Sequence, residues 1–106
     1  SSSNSIDSTD DEYRKLAFKW ILSYNKKVTK DTQYLAIAYL IKLGLKGIYI
    51  TEDNYEQIAI TTLLMASKMN EIYPPKISSM IARCKRCISK DEIIEMECKI
   101  VTAFNY

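Results

Sequence analysis

The stretch QIAITTLLMASKMNEIYPP, Gln57 to Pro75, decides the fold. From Gln57 to Ser67 it carries no charge at all. A helix with no charged face is shielded on every side by neighbours, so this one belongs at the centre of a bundle. Ala59 and Ala66 are small enough to let adjacent helices approach closely. Thr51 to Asn54 supplies several capping candidates for its start. Pro74 disfavours helix at Tyr73, so the pair Pro74–Pro75 stops it. The segment thus predicts a central third helix from about Thr51–Asn54 to Ile72. The uncharged run is well short of the roughly 18 residues that would suggest a membrane span.

Working outward, the rest of the chain predicts helices with one buried stripe each. Ser1 to Ser8 reads as a disordered polar tail. Thr9-Asp10-Asp11-Glu12 has the spacing of a capping box and opens helix 1, which runs to about Lys26. There Tyr13, Leu16, Ala17, Trp20 and Tyr24 recur at three- and four-residue steps. Val28 to Lys30 is a turn. Helix 2 runs from about Asp31 to Leu43, and Gly44 and Gly47 mark its end, since glycine tolerates the left-handed cap conformation. A short helix 4 covers about Lys76 to Arg83. Ser89-Lys90-Asp91-Glu92 is a second capping box and opens helix 5, which reaches about Phe104. Residues 9–106 form one domain: all-α, five helices around the third.

Composition agrees and narrows the function. The 106 residues suit one domain, and 47% are hydrophobic, enough for a core. Two glycines and two prolines are too few for an all-β chain. The formal charge of +2 does not suggest a nucleic-acid binder. The basic residues between Lys76 and Lys90 read as a solvated loop. There is no histidine, which removes histidine-dependent nucleophile systems and histidine metal ligation. Gly44 and Gly47 stand alone, so no glycine-rich phosphate loop is present. An enzyme is not expected, nor a cofactor. Cys84 and Cys87 form a single C-x-x-C pair, half a zinc site, so no metal is expected. With Cys98 the count is odd, which suits free thiols in a reducing compartment.

Two charges break the apolar pattern. Lys68 ends the uncharged run of helix 3. Glu97 lies four residues after Ile93 and three before Ile100, within the apolar face formed with Val101 and Phe104. Burying a lone charge is costly. One resolution is internal: Lys68 keeps its head in water and Glu97 pairs within the domain. The other is a partner helix terminus, whose free carbonyls take an ammonium and whose free amides take a carboxylate.

LLMASKMNEIYPP (Leu63–Pro75), followed at fixed distance by SKDEIIEMECKI (Ser89–Ile100), resembles the first cyclin box of A- and B-type mitotic cyclins. YRKLAFKW (Tyr13–Trp20), TQYLAIAYLIKL (Thr32–Leu43) and AFNY (Ala103–Tyr106) are similar to the family's first helix, second helix and closing segment. The resemblance implies a five-helix cyclin box with no chemistry of its own. It implies a regulatory subunit that binds and activates a cyclin-dependent protein kinase in cell-cycle control. Lys68 and Glu97 fall where family members grip the kinase's C-helix. Met65, Met69, Val101 and Tyr106 fall at the apolar contact positions, Met69 where phenylalanine is usual. An intracellular protein of nucleus or cytoplasm is expected, with no membrane or nucleic-acid partner. Alternatives are a non-activating scaffold with the same fold, or a transcription-factor-like relative that binds another partner.

The resemblance also implies a docking patch for arginine-x-leucine peptides at Tyr13, Leu16, Ala17, Trp20 and Glu56. The amphipathic stripe itself reads equally well as core. Ala17 should widen the cleft, and Glu56 should attract a basic peptide. One departure concerns Arg14, whose usual aspartate partner on helix 2 is replaced by Ile41.

Overall fold

A computed structural model describes the backbone of residues 2–105 and the side chains of residues 11–105. Five helices follow one another: α1 (Ser2–Ser23), α2 (Lys30–Leu45), α3 (Tyr55–Asn70), α4 (Ile77–Ile81) and α5 (Lys90–Phe104). No strand occurs among the described residues. Nor is any described helix long and apolar enough to cross a membrane.

Helix α3 is the axis on which α1, α2, α4 and α5 pack. Ile58 to Leu64, Ala66 and Ser67 are all buried. Its hydroxyls are satisfied inside the helix. Thr61 donates to the Gln57 carbonyl at 2.7 Å, Thr62 to Ile58 at 2.9 Å and Ser67 to Leu63 at 2.7 Å. Back-bonding of this kind lets a polar group lie in a core without an orphaned donor. The helix ends at Asn70, and Glu71 is already extended.

The α1–α2 hairpin is locked by one buried amide. Gln33 Nε2 lies 3.1, 3.2 and 3.0 Å from the carbonyl oxygens of Ile21, Leu22 and Tyr24. The last turn of α1, whose carbonyls have no partner within the helix, is thereby closed by α2. Thr29 caps α2 and Ser89 caps α5; the Ser89 hydroxyl accepts from the Glu92 amide at 3.2 Å. Only this half of the second capping box forms, because the Glu92 carboxylate turns to Arg86 at 3.3 Å.

Two expectations are corrected. Helix α1 begins at Ser2, ahead of the Thr9 box, whose Thr9 and Asp10 side chains lie outside the described residues. No proline or glycine ahead of the box interrupts the helix. Gly44 does not end α2; it lies within it, and its missing side chain makes room for Arg14. A Cβ at Gly44 would fall 2.5 Å from the Arg14 guanidinium. Gly47 is the residue that ends the helix. At φ +79° it donates to the Gly44 carbonyl, while Ile48 donates to Leu43, a Schellman closure.

Candidate functional site

Lys68 sits in the last turn of α3, and Glu97 in the middle of α5, which packs beside it. Lys68 Nζ lies 3.0 Å from both carboxylate oxygens of Glu97. The pair is at the surface, its side chains 51% and 27% exposed. The buried face of α5 is Ile93, Met96 and Ile100, so Glu97 stands at its rim and not at its centre. Met96, three residues after Ile93 and four before Ile100, takes the place expected for Val101, which faces water.

Around the pair is an open cleft of about 480 Å³ lined by Lys68, Ile94, Glu97, Cys98, Val101 and Thr102. Met65 stands one turn before Lys68 and packs half-buried against the core. Met69 is 73% exposed. Of the contact residues expected with the pair, Val101 thus lines the cleft, while Met69 lies exposed and Met65 half-buried on α3, outside its lining. Tyr106 lies outside the described residues. Sequence reasoning missed Ile94 and Cys98. Ile94 stands three residues before Glu97 and Cys98 three before Val101, which was the available signal.

A second cleft of about 690 Å³ lies between the α1–α2 turn and the end of α3, lined by Lys27, Val28, Thr29, Asn70, Glu71, Ile72 and Tyr73. Ile72 beside it is 87% exposed. Here Glu71 joins two elements. Its Oε2 accepts from the Thr29 amide at 2.8 Å, the Thr29 hydroxyl at 3.1 Å and the Thr32 hydroxyl. These bonds hold its carboxyl below the usual range, the Thr32 hydroxyl first and then the Thr29 amide.

The expected docking patch is only partly assembled. Tyr13 and Trp20 are half-buried and Leu16 lies at the surface, but Ala17 is fully buried beneath α3 and cannot widen a cleft. Tyr13 stacks on Tyr55 at 6.0 Å, and Trp20 on Tyr24 at 5.6 Å. Arg83 covers Tyr24 at 5.2 Å. Glu56 turns into the fold. It is only 6% exposed, and its two oxygens accept from the backbone amides of Lys85 and Arg86 at 3.0 and 3.1 Å. The helix-start carboxylate is consumed in holding the loop that carries Cys84 and Cys87. Burial pushes the Cys84 thiol up to about 12. No group of histidine, cysteine, aspartate or glutamate among the described residues could hold a metal ion.

A family model described as "Cyclin, N-terminal domain" matches residues 1–106. The chain is 30% identical over 95 residues to Cyclin-A2-4 of Arabidopsis thaliana, covering 88% of this chain and 20% of that protein. It is 30% identical over 95 residues to the G1/S-specific cyclin-E of Caenorhabditis elegans, covering 87% of this chain and 18% of that one. Against the G2/mitotic-specific cyclin-B of Spisula solidissima the identity is 25% over 95 residues, with coverages of 88% and 22%. The chain therefore spans about one-fifth of the length of these relatives. No solved structure matches it significantly. With the whole chain matched and the helices arranged around α3, it belongs to the cyclin family, through the N-terminal cyclin domain.

Proposed function

We propose that this domain binds a cyclin-dependent protein kinase and favours its active form, as part of cell-cycle control. The observation that carries the reading is the Lys68–Glu97 pair: one cation and one anion, side by side, on an otherwise apolar rim. An exposed pair of this kind contributes only about 0–1 kcal/mol to folding, so a partner can part it at small cost. The freed ammonium can take carbonyl oxygens of a kinase backbone segment, and the freed carboxylate can take amides. Ile94, Val101 and Met69 supply the apolar surround. Catalysis in protein kinases requires a lysine–glutamate pair completed by the C-helix. A surface that binds better when that helix is swung in shifts the population to the active state.

Truncating one member of a charge contact desolvated at an interface costs about 2–5 kcal/mol. Lys68→Ala and Glu97→Ala should each weaken kinase binding roughly thirtyfold or more, at about 1.4 kcal/mol per decade. Their melting temperatures should stay near that of the parent. Folded variants with undiminished affinity would sink the proposal. Kinase activity measured on the purified complex separates activation from mere tethering.

A further inference from the structure

The α1–α2 turn carries a chemistry that the kinase-facing surface does not use. It reads Lys26-Lys27-Val28-Thr29-Lys30, and all of it but Val28 is exposed. Thr29 is extended, with φ −90° and ψ 169°, just ahead of the first turn of α2. Three exposed lysines thus flank one exposed threonine in a surface turn. An acidic substrate groove would complement that arrangement.

We propose that Thr29 is a phosphorylation site for a protein kinase that selects basic segments, and that its phosphate releases Glu71. The Thr29 oxygen bonds to the γ-phosphorus of a nucleoside triphosphate and gives its proton to the transferring enzyme. The bond from that phosphorus to the β–γ bridging oxygen breaks, and the nucleoside diphosphate leaves with the electron pair.

The consequence follows from the hydrogen bonds already present. Glu71 Oε2 is held by three donors, two of them on Thr29. Phosphorylation removes the hydroxyl donor and sets a group of charge about −1.5 to −2 beside the carboxylate. The phosphate stays favoured at the start of α2, where free amides and the helix dipole welcome an anion. Two anions now compete for one set of donors, and the tethered, more highly charged one keeps it. The helix retains its cap, and Glu71 loses its place. The released segment follows directly on Lys68 and Met69 and includes the exposed Ile72 and Tyr73. Reduced kinase affinity of the modified domain rests on the function proposed above; the phosphorylation and the release of Glu71 do not.

The test treats the chain with magnesium-ATP and a purified base-directed protein kinase, then locates phosphate by fragment mass spectrometry. Carboxyl-carbon NMR follows the titration of Glu71. Phosphate is expected on Thr29, absent in Thr29→Ala and much reduced in a Lys26→Glu, Lys27→Glu double variant. The Glu71 midpoint should rise on phosphorylation. Phosphate found only elsewhere, or incorporation unchanged in Thr29→Ala, overturns the site. A phosphorylated Thr29 with an unmoved Glu71 midpoint overturns the release. If both occur and kinase affinity is unchanged, the regulatory consequence fails while the Lys68 and Glu97 variants still judge the binding surface.

Discussion

Replacing Glu56 by glutamine changes one oxygen to an amide nitrogen and leaves the shape intact. In the parent, each carboxylate oxygen accepts one backbone amide, from Lys85 at 3.0 Å and Arg86 at 3.1 Å. Glutamine can still accept one of them. Its nitrogen must meet the other donor to donor, in a site where Glu56 is only 6% exposed. A buried donor left without a partner costs about 1–3 kcal/mol. For a domain near this size each kcal/mol lowers the Tm by about 4–8 °C, so Glu56→Gln should melt about 5–20 °C lower. Exposed Glu52 on the preceding turn is the control, and Glu52→Gln should stay within about 0.5 kcal/mol of the parent. Urea unfolding gives the free energies, and amide exchange at Lys85 and Arg86 gives the location. A Glu56→Gln variant with parental midpoint and parental exchange at both amides would refute the reasoning. It would return Glu56 to the surface role first expected of it.

Acid should weaken the tie between α3 and α2. The carboxyl of Glu71 is held below its ordinary value of 4.5, so its stabilising contribution is complete above that value and is lost as pH falls through the depressed one. Thermal melts across that window should fall in the parent, and Glu71→Gln should lack that component. For the thiols, Cys84 is pushed up to about 12, whereas Cys87 and Cys98 are exposed. Thiolate is the reacting form, so iodoacetamide near neutral pH should label Cys87 and Cys98 well before Cys84, as peptide mass spectrometry would show.

How much of this was legible beforehand depends on whether a feature is local. The uncharged run from Gln57 to Ser67 announces a central helix, because no other position in a helical bundle tolerates it. Lys68 and Glu97 were visible as charges set in apolar stripes. Their closeness on one face was expected from the family resemblance; periodicity alone does not encode a contact across 29 residues. The same blindness explains Glu56. A carboxylate in a first turn has an obvious local role with the helix dipole, and nothing in its neighbours reveals amides 29 and 30 residues onward. The burial of Ala17 was hidden for a different reason. A stripe tells which side of α1 is apolar, but only the approach of α3 decides which members of it are covered. Gly44 was assigned to a helix end by its type, when its neighbour in space is what requires it.

That glycine links the histories of two positions thirty residues apart. With Arg14 in place, a methyl group at position 44 would stand 2.5 Å from the guanidinium, which must leave its seat. With a short residue at position 14 the obstacle is gone, and alanine at 44 is favoured over glycine by about 1 kcal/mol of helix propensity. The order of the two changes therefore matters. With Arg14 present, the end of its flexible side chain must swing aside to admit a methyl group at position 44; with a short residue at position 14, nothing has to move.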